Sequence, residues 1–510
     1  MSVSPMVRAL LLFFPVIPLL GNVLILTVNY LLRRDFSVGL IVAVIVAQLA
    51  SGAVIIAAFI GYEGVFITAI SELEYSIVFS FDARKTYFLA AYLTPLLFTL
   101  FRLDLLKTQY VRVIFLFYLA GCSGLLVTGD IFTFYVFYEV MIMAAYVLIG
   151  IKGEYYASIK YMIMGASSSA LFLGGVILLY SSGSYLGFTF VDQISLFSEY
   201  NMHLILLLFS TAFYVKGAFF PVSNWVSTCH TATNSLISAF LSAFTVFTGI
   251  LGLYYLVLRP AELLGYTAIF DFLRILSITT MLLVAVFLFF EPHLKRVIAG
   301  TTVFSIGFIG LILSYRLYDI ALAYIVVHGL YKCLLFLLYD QFDYDESRQD
   351  ELHVAGSWKA LTLCGLGVLF TTGFYPALTY ILKYRFVGQH EGYRLVVYIS
   401  MFLVLGAFFK FRYRLVRKVE NNLFYLTFLA VFAVYYLAFP YALHRPGITF
   451  LVDVAVLGSA VLFARPLYFR LALFSRLDTQ VFYRNLNYEL LYIVLLFFIE
   501  MVYLQMVVFR

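Results

Sequence analysis

The chain has 510 residues, 64% hydrophobic and only 12% charged, with a mean hydropathy of +1.00 and a formal net charge of +6. Soluble domains carry about 25% charged residues, so this composition excludes an ordinary soluble enzyme and points to an all-α polytopic membrane protein. The cysteines Cys122, Cys229, Cys333 and Cys364 form no CxxC pair, and the chain has neither a Walker A motif nor GxGxxG; no cofactor is expected to be bound by this chain.

Apolar runs of spanning length predict helices over 7–32, 38–61, 77–101, 112–128, 130–150, 158–181, 203–222, 232–258, 272–290, 297–314, 318–339, 357–382, 394–411, 422–440, 447–464 and 488–508, about 14–16 transmembrane helices. The first run is too long for a signal-peptide core and no small-residue cleavage site follows it, so it reads as a retained membrane helix. Many of the 41 tyrosines fall near segment ends, as an aromatic belt requires. Residues 465–487 are too charged to span. Leu467, Leu471, Phe474, Leu477 and Val481 recur there at helical spacing among Arg470, Arg476 and Arg484, which predicts a C-terminal lateral amphipathic helix on the inner surface.

With the N-terminus outside and loops alternating, the inner face receives Arg33, Arg34, Arg102, Lys107, Arg112, Lys152, Lys160, Lys295, Arg296 and the run Lys410–Lys418, among others, about twice the basic residues of the outer face. The positive-inside rule therefore favours a multi-pass protein of the cytoplasmic membrane with its N-terminus outside.

A few ionisable groups interrupt the apolar segments. Glu139 is the one charge-capable residue between Ile131 and Ile149. A carboxylate at the centre of a spanning helix costs roughly 2.5–3.5 kcal/mol on insertion scales. Lys216 precedes Gly217 and Pro221, which predicts a break or bend in the seventh helix. His230 opens the eighth helix, and His328 and Lys332 share one face of the eleventh through their i, i+4 spacing. Either lysine alone reads as well as a snorkelling side chain, and His230 as an interfacial one. Together, a buried acid, base and imidazole have the composition of a proton relay: a buried lysine switches between charged and neutral as a nearby carboxylate gains or loses a proton, and a histidine passes protons near neutrality. Thr245, Thr248, Thr301, Thr302 and Ser305 offer hydroxyls to hold linking waters, whereas Ser167, Ser168 and Ser169 read as small-residue packing.

The motifs resemble a known family. TGDIFTFYVFYEVMIMAAYVLIG (128–150) is similar to the fifth-helix signature of the antiporter-like subunits of respiratory complex I and of Mrp-type cation/proton antiporters. ASIKYMIMGASSSALFLGGVILLY resembles the next helix, especially of the D-type Mrp subunit and its counterpart in archaeal membrane-bound hydrogenases. KGAFFPVSNWVSTCHTATNSLISAFLS, HLKRVIAGTTVFSIGFIGL and HGLYKCLLFL follow in the family's order, and the likeness covers roughly 75–385.

The resemblance implies two inverted five-helix repeats, each with a broken helix, at 112–258 and 272–411. N-terminal helices (1–111) would precede them. Additional helices (412–464), the lateral helix (465–487) and a last span (488–510) would follow. The breaks would fall at Lys216–Pro221 and Thr372–Pro376. Glu139 and Lys216 would be the Glu/Lys pair, Lys332 the central lysine, and His230 and His328 its neighbours. Two departures stand out: Phe247 occupies the usual eighth-helix lysine position, and Ala377 the usual charged position of the second break. Lys383, six residues on, is expected at the outer surface.

The resemblance therefore implies a membrane-arm subunit of a multi-subunit redox-driven complex, translocating protons and/or Na⁺. Integral membrane partners and a peripheral redox arm with iron–sulfur centres are expected, and no nucleic acid. The alternatives are an Mrp-type Na⁺/H⁺ antiporter subunit without redox coupling, and a non-pumping structural subunit.

Overall fold

The first apolar run folds as two helices rather than one: α1 (Pro5–Phe13) and α2 (Val16–Leu32) meet at 56°, with Pro15 in the break. Proline ends the α1 hydrogen-bond ladder there. The structure is a computed structural model and describes residues 3–69, 77–183, 186–188, 199–344, 353–374, 377–416, 422–438, 448–472 and 486–508. Among these, eleven helices are long and apolar enough to cross a membrane, or up to twelve with the bent pair as one span, beside shorter apolar helices. The chain is a helical, multi-pass membrane protein.

The chain divides into two units. The first comprises Met1–Gly217, Ala232–Phe272 and Asn487–Arg510. It contains α1, α2, α3 (Ser37–Phe59), an antiparallel pair β1 (Val65–Ala69) and β2 (Val78–Asp82), and α4 (Lys85–Thr99). It continues with α5 (Gln109–Val127), α6 (Ile131–Gly150), α7 (Tyr155–Gly183), α8 (Glu199–Lys216) and α10 (Ser235–Leu263). The helix expected over 77–101 thus gives its first residues to a strand, β2, which pairs with β1 from Val65–Asp82 to Ala69–Val78.

The entry to α6 is fixed twice. Asp130 caps the helix, its Oδ1 accepting from the Thr133 amide at 2.6 Å, while Oδ2 accepts from the Val78 amide of β2 at 3.1 Å. Gly121 of α5 then lets α6 approach closely: a Cβ there would lie 2.6 Å from the Met141 amide nitrogen. These constraints set the height and rotation of α6, and hence of Glu139.

α8 stops at Lys216, and the chain turns through Ala218, at a left-handed φ of 57° that alanine rarely adopts. α10 is buried from Ser235 to Leu258 and has π-helical turns at Leu241–Thr245 and Tyr254–Leu258. Gly249, between them, packs on the backbone of Lys216 and Gly217, where a Cβ would collide.

The second unit comprises Ala218–Thr231 and Leu273–Leu486. It holds α9 (Asn224–Ala232), most of α11 (Thr267–Phe290), α12 (Leu294–Ser314) and α13 (Tyr318–Tyr339). These lead to β3 (Asp343–Tyr344), β4 (His353–Gly356), α14 (Trp358–Thr372), α15 (Leu378–Gln389), α16 (Arg394–Phe409) and β5 (Arg412–Leu415). The unit ends with α17 (Asn422–Ala438) and α18 (Ile448–Ala472). β4 pairs antiparallel with β3 and parallel with β5. The run 357–382 is interrupted: α14 ends on Gly373 at φ 66° and α15 starts at Leu378, with Tyr375 and Pro376 outside the described residues. α18 runs through Pro466 to Ala472, into the stretch expected as a lateral helix, and residues 473–485 lie outside the described residues. α19 (Leu486–Val508) returns to the first unit.

Candidate functional site

Three helices of the first unit, α6, α7 and α8, bring the acid and the lysine to one region. Glu139 on α6 is half-buried, and the Ser169 hydroxyl of α7 donates to its Oε1. One residue back, Tyr138 is fully buried and its hydroxyl meets the Ser168 hydroxyl at 2.6 Å, while Ser168 donates to the Ala212 carbonyl of α8 at 2.8 Å. Ser168 and Ser169 are therefore polar partners of α6 and α8 as well as small packing residues. Lys216, at the end of α8, is 3% exposed and does not reach a surface of its unit. It donates to the Tyr161 hydroxyl of α7 at 3.0 Å, and its ammonium lies 5.0 and 5.4 Å from the Tyr161 and Tyr138 ring centres. Lys216 acts on Glu139 electrostatically through space. Ser169 thus meets the acid, Tyr161 the base, and Tyr138 and Ser168 meet each other beside them.

The flanking hydroxyls of α10 are committed. Thr245 pairs with the Tyr118 hydroxyl of α5, and Thr248 donates to the Thr245 carbonyl at 2.7 Å. Phe247, beside them, is fully buried.

In the second unit Lys332, fully buried on α13, donates to the Ile298 carbonyl at 2.6 Å and to the Thr301 hydroxyl, both of α12. Among the described residues no carboxylate pairs with it. His328, one turn earlier, meets the Tyr331 hydroxyl through Nδ1 at 2.8 Å, and Tyr331 meets Ser305 at 2.9 Å. His230 lies in the separate helix α9 rather than opening the following one, and its ring stacks on Phe336 at 4.6 Å. Lys332 and Lys295 both act on it electrostatically. The second unit therefore gathers His230, His328 and Lys332 in a buried region lined by Thr301, Ser305 and Tyr331.

Further buried charges were not anticipated. Lys160 of α7, counted among the inner-face residues, forms an ion pair with Glu489 of α19. Glu500, also on α19 and fully buried, accepts from Ser210 at 2.5 Å and Thr211 at 3.0 Å of α8. In the second unit Lys383 is buried rather than at an outer surface, and donates to Asp453 of α18. Lys410 closes the end of α11 by donating to the carbonyls of Leu288, Phe289 and Glu291 at 3.0, 2.8 and 2.5 Å. The signal for Asp453, Glu489 and Glu500 was the one that marked Glu139, an acid within an apolar run.

Residues 128–362 match the family described as NADH:quinone oxidoreductase/Mrp antiporter, TM. The chain is 28% identical over 246 residues to the D-type subunit of the Na(+)/H(+) antiporter of Alkalihalophilus pseudofirmus, spanning 45% of this chain and 48% of that protein. It is 27% identical over 311 residues to the N 1 subunit of the NADH-quinone oxidoreductase of Thermodesulfovibrio yellowstonii, spanning 58% and 67%. The chain thus matches about half the length of the first of these relatives. Its fold superposes with a TM-score of 0.72 and 18% identity on a chain of the membrane-bound sulfane sulfur reductase, an archaeal respiratory membrane complex, over 90% of this chain and 98% of that one. The corresponding values for the Mrp complex from a Dietzia species are 0.66, 20%, 79% and 79%. The resemblance read from the sequence holds: the chain is related to the antiporter-like membrane subunits of complex I and Mrp antiporters and shares their fold.

Proposed function

We propose that this chain is an ion-translocating membrane-arm subunit of a multi-subunit redox-driven complex, moving protons and/or Na⁺ through Glu139, Lys216, His230, His328 and Lys332. The carrying observation is that a half-buried Glu139 accepts from Ser169 and lies within electrostatic reach of Lys216, which itself donates to the Tyr161 hydroxyl. A buried acid and base that each hydrogen-bond to a hydroxyl can change charge state as protons arrive and leave. In this reading Lys332, held by neutral acceptors alone, takes and gives up a proton in the second unit.

One inverted five-helix repeat would occupy 112–258 and the other 272–411, with the N-terminus outside a cytoplasmic membrane. A neighbouring integral subunit would cover the face of α6 that exposes Phe132, Val136 and Met143 beside Glu139. Redox centres would belong to a peripheral arm of partner subunits. A second reading, an Mrp-type antiporter subunit driven by the proton gradient, draws on the relatives named as D-type subunits of Na(+)/H(+) antiporters.

The test is Glu139→Gln in the intact complex in inverted membrane vesicles. Coupled transport should be lost while the complex assembles; wild-type transport by the variant would sink the reading. Driving the wild type in turn with a reductant and with an imposed proton gradient separates the two energy sources.

A further inference from the structure

Where α15 ends and α16 begins, the second unit encloses a cavity of about 220 Å³. Tyr380, Lys383, Tyr384, Glu391, Arg394 and Tyr398 are among its walls. Glu391 and Arg394 pair at 2.6 Å with side chains 71% and 44% exposed, so this part of the wall meets the surroundings. At the other extreme is Lys383, whose side chain is 6% exposed. It donates to both oxygens of Asp453, at 3.0 and 3.2 Å, and the Asp453 side chain is 1% exposed. The rings of Phe374, Tyr380 and Tyr398 stand 5.3–5.4 Å from the ammonium.

A purely structural pair pinning α15 to α18 explains the contact but not the cavity. Buried ion pairs are often matched or bettered in stability by apolar side chains of similar volume, because desolvation offsets their attraction. A space of this size has room for several waters, each taking about 30 Å³. Polar side chains line it from the exposed Glu391–Arg394 pair to the buried Lys383, which holds Asp453.

We propose that Lys383 and Asp453 form the solvent-linked proton-exchange site of the second unit, reached from the membrane face on which α15 ends. This rests on the ion-translocating reading above. A proton arriving from within the unit adds to a carboxylate oxygen of Asp453 and releases its hold on the Lys383 ammonium. The proton then passes to a water in the cavity, and the ion pair re-forms. One proton enters and one leaves, and only O–H bonds are made or broken. The site places an ionisable pair just beyond Ala377, the buried residue that caps α15 without a charge.

The test uses the intact complex in inverted vesicles. Asp453→Asn, and separately Lys383→Met with Asp453→Leu, should assemble in normal amount and lose proton transport by roughly 100-fold, the scale of a proton-transfer group. The double variant keeps an apolar contact between α15 and α18, so a merely structural role would leave its transport intact. A third measurement does not depend on those variants: Tyr384→Cys should react with a membrane-impermeant maleimide from one side only, and the adduct should block transport. The four native cysteines are all buried, which keeps background labelling low. Wild-type transport in the assembled Asp453 variants, or a labelled Tyr384→Cys protein that transports normally, overturns the proposal while Glu139→Gln remains inactive. If Glu139→Gln transports normally, the underlying reading fails instead.

Discussion

Lys160 and Glu489 form an ion pair in which neither side chain is more than 1% exposed, although α7 and α19 lie far apart in the sequence. Breaking such a pair strands a charge in a buried setting, which costs about 3–5 kcal/mol, whereas replacing both partners with apolar side chains is often neutral. Glu489→Ala should therefore lower the thermal stability of the purified protein sharply. Lys160→Met combined with Glu489→Leu should restore most of it. Fluorescence-detected size-exclusion after heating reads both, and a double variant as unstable as the single one would show that the charges themselves are needed.

Ser169 touches Glu139 directly, so Ser169→Ala removes a hydrogen bond to a charge-bearing group at almost no change in packing. Such bonds contribute about 1.5–3 kcal/mol. Transport should fall by roughly tenfold, since about 1.4 kcal/mol is a factor of ten, with assembly unchanged. Ser169→Thr retains the hydroxyl and should recover part of the rate, measured as the initial rate of vesicle acidification.

The helices were legible because apolar runs of spanning length and their polar breaks are local features of the sequence. Glu139, Lys216, His328 and Lys332 stood out for the same reason, as single polar groups in apolar surroundings. The partners were not legible. Asp453 lies 70 residues from Lys383, and Ser169 lies 30 from Glu139; no spacing rule links residues on different helices. Lys160 and Lys383 were assigned to surfaces because each stands near a predicted helix end, and only tertiary packing buries them. β2 was missed because a short buried strand inside an apolar run cannot be told from the start of a helix by hydropathy alone.

His293 links α11 to α12, outside both spans. Burial, with Arg296 and Lys410 nearby, lowers its pKa from 6.5 to about 4. Between those values the unfolded chain binds a proton that the folded chain refuses, so stability should fall as pH drops from 6.5 toward 4. The neighbouring Glu291 carboxyl is raised by burial and works in the opposite sense, but it is present with or without the histidine. His293→Gln should therefore lose less melting temperature than the wild type on acidification through this window, with the two converging above about pH 7. A wild type and variant with parallel melting curves would refute the assignment.

Glu500 offers the plainest contrast between two substitutions at one site. Its carboxyl group is fully enclosed, and its polar contacts are the hydroxyls of Ser210 and Thr211. An ionised carboxylate so placed would be uncompensated, and burying one is prohibitive unless it is paired or neutralised. Glu500→Gln replaces the acid with a neutral group of the same shape that still accepts from both hydroxyls, and should change stability by less than about 1 kcal/mol. Glu500→Ala removes the acceptor, leaves two buried hydroxyls to find new partners and opens a cavity between α8 and α19, for a loss of about 2–5 kcal/mol. Melting of the purified protein distinguishes the two. A Gln variant as unstable as the Ala variant would mean that Glu500 is held as an anion by a cation at this site, and the stability of the wild type would then depend on the Na⁺ concentration of the buffer.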